Sequence, residues 1–299
     1  MARGMTVPGK PLLTPEQVLA DLMLLLDLEP RGGDIFVGRR REDGTGRVFG
    51  GQAIAQALGA ATRTVEAGRL VHSLHAYFLR PGSDALPIEY RVKRDLDGRS
   101  FSNRRVVASQ NGKPILNLVA SFQDPVDGPG HQYPTMPQVP PPEALESDQI
   151  AALRRADEIP DGPIKTLILR QQPVEFRSVQ PRNWLIPEQR PPHSDVWFRT
   201  VAPLSADQSI QQIVLAWISD FQLLGTAVQP NVVPGVELKV ASLDHAMWFH
   251  EPFAVDDWLL YSMDSPWAGH ARGLSRGQIF TRDGRLVASV TQEGMIRHV

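Results

Sequence analysis

Three polar side chains lie within apolar segments of the second half of the chain. Asp220 is the only charged residue between Ile210 and Val228, a run that is typical of a buried core helix. Alternation along a strand turns Ser242 and Gln292 toward the same side as their apolar neighbours two residues away. Burying an unpartnered carboxylate costs several kcal/mol. We therefore expect Asp220 to be hydrogen-bonded or to contact a wet pocket, with Ser242 and Gln292 as available donors.

This group of side chains has two interpretations, a structural polar network or a catalytic site in which the carboxylate acts as a general base. An internal repeat favours the catalytic interpretation. A rough alignment of its two copies places Gly51 opposite Asp220 and Ala120 opposite Gln292, so the first copy lacks both polar groups. A purely structural requirement would be expected in both copies.

The repeat consists of short segments that recur at an offset of roughly 170 residues, which indicates two similar folding units in one chain. Val71-His-Ser-Leu74 and Leu118-Val-Ala-Ser121 in the first half correspond to Val240-Ala-Ser-Leu243 and Leu286-Val-Ala-Ser289 in the second. A proline-rich stretch separates them. We predict a first unit over residues 1–124, a linker over 125–173, and a second unit over 174–299 that carries the polar side chains.

Helix signals precede the strands of each unit. Thr14-Pro-Glu-Gln17 predicts a capped helix that ends before Pro30. Gly50-Gly51 opens a run of small residues that a sheet can enclose closely. Ser205-Ala-Asp-Gln208 predicts a capping box for a helix that runs toward Val228.

Alternating apolar residues and turn signals predict four strands in each unit. They span 70–79, 88–94, 100–110 and 115–122 in the first unit, and 238–249, 258–263, 272–281 and 286–296 in the second. Asn111-Gly112 and Asp283-Gly284 fit type I′ hairpin turns, which need positive φ at both central residues. One helix followed by an antiparallel meander, twice over, predicts an α+β fold rather than a parallel βαβ design.

Composition excludes several classes of function. The net charge of −2 argues against nucleic-acid binding, and no stretch is apolar enough for a membrane span. The chain has no cysteine, which excludes disulfides, thiol nucleophiles and Cys-ligated metals. No His-x3-His spacing occurs, and His245 and His250 fall on opposite faces of a strand, so we expect no metal site. The opening residues lack the apolar core of a secretory signal, and we expect a cytoplasmic protein.

Beyond these patterns, the sequence closely resembles the acyl-CoA thioesterase II family from about residue 45 to the C-terminus. The resemblance rests on Val48-Phe-Gly-Gly-Gln52, Val71-His-Ser-Leu-His-Ala-Tyr-Phe-Leu-Arg-Pro-Gly82, Gly98-Arg-Ser-Phe-Ser-Asn-Arg-Arg105, Gln110-Asn-Gly-Lys-Pro-Ile115, Ser219-Asp-Phe221, Leu243-Asp-His-Ala-Met-Trp-Phe-His250 and Val287-Ala-Ser-Val-Thr-Gln-Glu-Gly294. It implies a double hotdog fold, in which each of two tandem units wraps an antiparallel sheet around a helix. It also implies cofactor-independent hydrolysis of acyl-CoA to free fatty acid and CoA.

The resemblance also assigns roles to individual residues. The family's catalytic Asp, hydroxyl residue and Gln, which orient a water molecule, fall on Asp220, Ser242 and Gln292; the family pattern has Thr where this chain has Ser242. Substrate contacts are expected at Gly50, Gly51 and His72, with backbone oxyanion donors near the two glycines. The family further implies a homodimer or homotetramer.

Three alternatives compete with this function. Gly273-Leu-Ser275-Arg-Gly277 matches a serine-hydrolase elbow, but only 24 residues follow Ser275 and their pattern is that of a hairpin. A hotdog enoyl-CoA hydratase would carry a histidine about five residues after the aspartate, where this chain has Gly225. A non-catalytic acyl-CoA-binding protein stays open, because fold does not dictate function.

The arginines at 99, 104 and 105 also have two interpretations. A guanidinium fits phosphate geometry well, so these residues could contact the phosphates of CoA. A solvated strand face is the commoner outcome for such a cluster.

Overall fold

The structure is a computed structural model that describes the chain except for residues 1–11, 41–43, 45, 160, 163–164, 166–167, 182–187 and 234. The opening residues that supported the expected location lie outside the described part. The described helices are α1 (Pro15–Leu26), α2 (Gly50–Thr62), α3 (Asp148–Arg154), α4 (Gln208–Ile218) and α5 (Leu223–Val228). The described strands are β1 (Leu28–Gly32), β2 (Ile35–Gly38), β3 (Leu70–Phe78), β4 (Ile88–Asp97), β5 (Phe101–Gln110), β6 (Lys113–Gln123), β7 (Val174–Ser178), β8 (His193–Thr200), β9 (Leu238–Ser242), β10 (Asp244–Phe249), β11 (Leu259–Gly269), β12 (Arg272–Thr281) and β13 (Leu286–His298).

These strands form one continuous antiparallel sheet. Its order is β1-β2-β4-β5-β6-β3-β10-β13-β12-β11-β8-β7, with β9 paired to β13 beside this path. The two half-sheets meet where β3 pairs with β10, from Asp244 opposite Tyr77 to Trp248 opposite Ser73. The predicted α+β double hotdog fold is confirmed.

The strand order differs from the predicted meander at one point in each half. β3 pairs with β6 and not with β4, and β10 pairs with β13 and not with β11. β3 and β10 therefore each keep one edge free, and the two strands pair with one another through these edges. Pairing these two edges removes two open edges from the sheet, and an open edge exposes unpaired backbone groups.

The central helix of the first half is enclosed on every side. All residues of α2 from Gly51 to Ala61 are buried, and small side chains let α2 lie against both the sheet and α4. At Gly59 an added Cβ would lie 3.7 Å from Ile213 Cδ1, an ordinary van der Waals distance. The predicted close enclosure of this small-residue helix is confirmed.

Of the two predicted helix capping boxes, one is confirmed and one is wrong. Thr14 and Gln17 form the predicted capping box of α1, with Pro15 at its first position. The box predicted from Ser205 is wrong, because the Asp207 carboxylate caps α4 instead by accepting from the Ser209 N–H at 2.8 Å. An acidic side chain at this position also complements the helix dipole.

The two predicted type I′ turns differ in outcome. Asn111 and Gly112 both have positive φ, +49° and +72°, so the first prediction is confirmed. At the second turn only Gly284 has positive φ, and the Thr281 N–H donates to the Arg285 carbonyl across a wider loop. The second prediction is therefore wrong.

The segment predicted as a linker packs against the second half of the sheet. Met136, Val139 and Leu145 contact a buried cluster that includes Trp197 and Trp258. The Trp197 indole N–H donates to the Pro140 carbonyl at 2.9 Å. This proline-rich chain therefore covers an outer face of the sheet.

Arg104 is part of the interior and not of a solvated face. Its side chain is fully buried and donates to Thr64 Oγ1, to the Leu96 carbonyl and to Asp97. Arg105 lies on the surface and pairs with Asp95 at 3.1 Å. The buried guanidinium of Arg104 is thus used inside the fold and is unavailable to CoA phosphates. Among the described residues no helix is long and apolar enough to cross a membrane.

Candidate active site

Asp220 lies in a turn between two helices, not within one continuous helix as predicted. α4 ends at Ile218, and Gln222, which has a φ of +64°, precedes α5. The Ser219 hydroxyl donates to the Ala216 carbonyl at 2.9 Å, and the Tyr261 hydroxyl donates to the Ser219 carbonyl at 2.9 Å. These bonds satisfy carbonyls near the end of the helix, where intrahelical donors run out.

The three predicted side chains meet. Gln292 Nε2 donates to Asp220 Oδ1 at 2.7 Å and to Ser242 Oγ at 3.2 Å. Ser242 is the last residue of β9, and the strand is interrupted at Leu243 before β10 begins. A single continuous strand was predicted here. Because β9 and β10 both pair with β13, the strand that carries Gln292, the break places Ser242 beside it.

The first half of the chain also contributes to this site. The backbone N–H of Gly51, at the start of α2, donates to the Asp220 carboxylate. An added Cβ at Gly50 would lie 2.6 Å from Asp220 Oδ2, and one at Gly51 would lie 2.5 Å from the Trp217 carbonyl oxygen. Both glycines are therefore needed for this close approach. The positive end of the α2 dipole faces the carboxylate and stabilises its charge.

Burial governs the electrostatics of Asp220. Its side chain is only 6% exposed. Phe221, the next residue, lies 4.6 Å from Phe49 and 4.7 Å from Trp217 between ring centroids. Desolvation raises the pKa of Asp220 to about 6, while the hydrogen bonds from Gln292 and Gly51 act in the opposite direction. A carboxylate with a pKa in this range is suited to general-base catalysis near neutral pH.

His245 is a neighbour of Asp220 that sequence reasoning missed. Its side chain is fully buried, with Nδ1 3.9 Å from Asp220 Oδ1 and Nε2 2.9 Å from Ser219 Oγ. Burial lowers the pKa of His245 to about 3, so the ring is neutral at physiological pH. The alternation of His245 with buried Met247 and Phe249 along β10 was the signal that could have found it.

His72, the remaining predicted substrate contact, is not brought to this site. Its Nε2 lies 2.8 Å from Ser121 Oγ, and its ring contacts the edge of Phe101 at 5.8 Å between centroids. Phe78, which lies next to Gly50, is six residues further along β3. At about 3.3 Å per residue this separation is roughly 20 Å.

The arrangement offers the atoms that a water molecule needs to become a nucleophile. Within the described residues, Gln292 Oε1 is buried without a hydrogen-bond partner, so it is an available acceptor beside Asp220. Ser242 Oγ accepts from Gln292, which leaves its own O–H to donate. Over the same part of the chain no group of three or more His, Asp or Glu side chains is placed to hold a metal ion.

Comparison with known proteins gives a consistent result over both halves. The family described as acyl-CoA thioesterase matches residues 170–295, and the acyl-CoA thioesterase N-terminal domain matches residues 40–123. Acyl-CoA thioesterase 2 of Haemophilus influenzae is 39% identical over 282 residues, which are 94% of this chain and 98% of that protein. Human acyl-coenzyme A thioesterase 8 is 39% identical over 279 residues, which are 91% and 88% of the two chains.

A solved structure gives the same result in three dimensions. The acyl-CoA thioesterase II TesB2 from Mycobacterium marinum superposes with a TM-score of 0.76 at 39% identity, over 93% of this chain and 98% of that one. Sequence, fold and site geometry agree, and the chain belongs to the acyl-CoA thioesterase family.

Proposed function

We propose that Asp220, Ser242 and Gln292 catalyse the hydrolysis of acyl-CoA thioesters by activating a water molecule, without a covalent enzyme intermediate. The chain is an acyl-CoA thioesterase, and its products are free fatty acid and CoA. The observation that carries the mechanism is the bridge from Gln292 Nε2 to both Asp220 and Ser242, at 2.7 and 3.2 Å.

The proposed reaction begins with the water molecule held by three contacts. One water hydrogen points to the Asp220 carboxylate and the other to Gln292 Oε1, while the Ser242 hydroxyl donates to the water oxygen. The remaining lone pair attacks the thioester carbonyl as Asp220 accepts the proton. Collapse of the tetrahedral intermediate breaks the C–S bond, and the proton held by Asp220 passes to the departing thiolate.

Gly50 and Gly51 are proposed to line the substrate end of this site. The Gly51 N–H already donates to Asp220. The N–H of Gly50, in the same first turn of α2, is therefore our choice for the donor to the developing oxyanion. Since α2 belongs to the first half, the proposed site requires both halves of the chain.

The hydratase alternative requires a histidine near the aspartate, and a histidine does lie beside Asp220. His245 reaches it from β10 and not from a position five residues further along a helix. Its side chain is fully buried, and its ring nitrogens face Ser219 and Asp220. We expect no hydration of an enoyl-CoA by this protein, measured as loss of the conjugated thioester absorbance.

The proposed function predicts release of free CoA thiol from acyl-CoA substrates. Because the chain has no cysteine, a thiol-reactive chromogenic disulfide will report only the product and not the enzyme. The assay should be run over a series of acyl-chain lengths. Tight binding of acyl-CoA with no thiol released at any length would instead identify a non-catalytic binding protein.

The pH dependence of this activity follows from the raised pKa of Asp220. A general base acts only when it is ionised, so kcat/KM should decrease about tenfold per pH unit below a pKa of about 6 and level off above it. The measurement is kcat/KM from pH 4.5 to 8 at constant ionic strength. A profile that stays level to pH 4.5 would contradict an Asp220 base with this pKa.

Replacing Gln292 by alanine should change both the rate and this profile. Gln292→Ala removes a hydrogen bond that lowers the pKa of Asp220, so the acidic limb should move to higher pH. The substitution also removes the amide contacts that position the water and Ser242, so kcat should decrease about 10- to 100-fold. Gln278→Ala, on neighbouring β12, is the matched control and should keep the wild-type profile.

Location and assembly stay predictions from the sequence. We propose a cytoplasmic homodimer or homotetramer that acts on acyl-CoA.

A further inference from the structure

His245 is a buried group that the proposed mechanism does not use. It lies on β10 with 0% of its surface exposed, and its two ring nitrogens face different partners. Nε2 lies 2.9 Å from Ser219 Oγ, and Nδ1 faces Asp220 Oδ1 at 3.9 Å. Among the described residues Nδ1 has no hydrogen-bond partner. A buried polar atom without a partner costs stability, which calls for a functional explanation.

The contacts of Ser219 fix which ring nitrogen carries hydrogen. The single hydroxyl hydrogen of Ser219 is donated to the Ala216 carbonyl at 2.9 Å, so Ser219 Oγ can only accept from His245. His245 Nε2 is therefore the N–H of the neutral ring. Nδ1 is left as a bare acceptor that faces a carboxylate, and two acceptors cannot bond while Asp220 is ionised.

A hydrogen bond between His245 Nδ1 and Asp220 becomes possible once Asp220 has taken a proton. A protonated carboxyl group has an O–H donor, and a hydrogen bond to Nδ1 needs a separation of about 2.8 Å. Closing the distance from 3.9 Å needs a displacement of about 1 Å. The bare Nδ1 is thus placed to accept a hydrogen bond from the acid form and not from the ionised form.

We infer that His245 is a positioning residue that stabilises the protonated carboxyl of Asp220 through Nδ1, with Ser219 holding the ring in the required tautomer. This inference rests on the proposed function, because it concerns the proton that Asp220 takes from water. No proton is transferred to the ring. His245 stabilises the protonated form of Asp220 until the departing thiolate accepts the proton.

The other groups around Asp220 are polar and uncharged at neutral pH. They are the Gly51 N–H of α2, the Gln292 amide of β13, the Ser219 hydroxyl and, through the Ser219 carbonyl, the Tyr261 hydroxyl of β11. Burial keeps the pKa of Tyr261 well above its usual value. Asp244 precedes His245 and so lies on the opposite face of β10, where it accepts from the Glu293 N–H at 2.6 Å.

The test is the acidic limb of the kcat/KM profile in His245→Phe, a variant that keeps the ring volume and removes both nitrogens. Loss of the acceptor destabilises the acid form of Asp220, so the limb should move to lower pH by about 0.5 to 1 unit. kcat should decrease about tenfold with little change in KM. His245→Asn, whose amide oxygen can replace Nδ1, should keep the limb close to that of the wild type.

Ser219→Ala provides a second route if His245→Phe does not fold. Without Ser219 the ring can adopt the Nδ1–H tautomer, which favours ionised Asp220, so the limb should again move to lower pH. A purely structural role would lower the folded fraction and kcat without moving the limb, and that result would overturn the inference. A shift to higher pH would also overturn it, since Nδ1 would then be a donor in the wild type.

Failure of the inference and failure of the proposed function give different results. If Asp220→Asn is inactive but the limb of folded His245 variants does not move, only the role of His245 is wrong. If Asp220→Asn keeps wild-type activity, the limb does not report on Asp220 and the proposed mechanism is wrong.

Discussion

Asp220→Asn is expected to lower kcat for acyl-CoA hydrolysis by about 10²- to 10⁴-fold, the usual contribution of a general base. The asparagine side chain has the same shape and keeps an oxygen for the Gln292 amide, but it cannot accept a proton. KM should change little, because the carboxylate contacts the water and not the acyl-CoA. Thiol release measured under saturating substrate checks this result.

Asp195→Asn is the matched control for this variant. Asp195 is another buried carboxylate of the second half, on β8, where it bonds to His193 Nε2 at 2.7 Å. Its replacement should alter stability and leave kcat per folded molecule near that of the wild type. Equal loss of kcat in both variants would show that general damage to the fold, and not loss of the base, is being measured.

The same Asp220→Asn variant should also change how stability depends on pH. The carboxyl pKa rises from 3.8 in the unfolded chain to about 6 in the folded one. The folded state therefore binds this proton more tightly than the unfolded state does. The resulting contribution to the free energy of unfolding is complete below pH 3.8 and is lost as the pH rises through 6. A shift of roughly two pKa units corresponds to about 3 kcal/mol.

Urea unfolding of the two proteins between pH 4 and 8 measures this effect. The free energy of unfolding of Asp220→Asn should rise relative to wild type by about 2 kcal/mol over this range. Such a gain in stability together with a loss of activity is expected when a functional group is buried at a cost. A constant difference between the two proteins across the range would show that the pKa of Asp220 is not raised.

The sequence alone predicted the strands that border the site, because alternation is a local property. Alternation correctly turned Gln292 into the buried face of β13. Ser242 does lie beside Gln292, but the apolar face predicted for its strand is wrong, because Val240 on β9 is exposed. The sequence did not predict β1, β2, β7 and β8. β1 has four exposed residues out of five, and β7 lies at the edge of the sheet, so neither shows a clear pattern of burial.

The parts of the site that were missed depend on contacts between distant segments. The end of α4 at Ser219 is satisfied by the Tyr261 hydroxyl, which is 42 residues away in sequence. The Gly51 N–H reaches Asp220 from the other half of the chain. No local pattern encodes either contact. The first half carries no counterpart of Asp220 or Gln292 in the alignment of the two copies, but it provides the backbone that faces Asp220.

Gly50→Ala tests this contribution of the first half. An added Cβ would lie 2.6 Å from Asp220 Oδ2 and 3.0 Å from Phe78 Cζ, both closer than van der Waals contact allows. The closer contact is with the carboxylate, so we expect Asp220 to be displaced and its geometry with Gln292 to be lost. A displacement approaching 1 Å at the reacting groups can lower kcat about 100-fold, and we expect a loss of this size with little change in stability.

Gly59→Ala is the control, because it makes the same change in the same helix, where the nearest neighbours would lie at 3.7 Å. A methyl group fits there, and alanine favours the helix over glycine by about 0.5 to 1 kcal/mol, so this variant should be fully active and more stable. Comparing the two variants distinguishes the steric effect of a methyl group at the start of α2 from the general effect of alanine on helix stability. Wild-type kcat in Gly50→Ala would mean that Asp220 does not need its observed position against α2, and the proposed base would have to lie elsewhere.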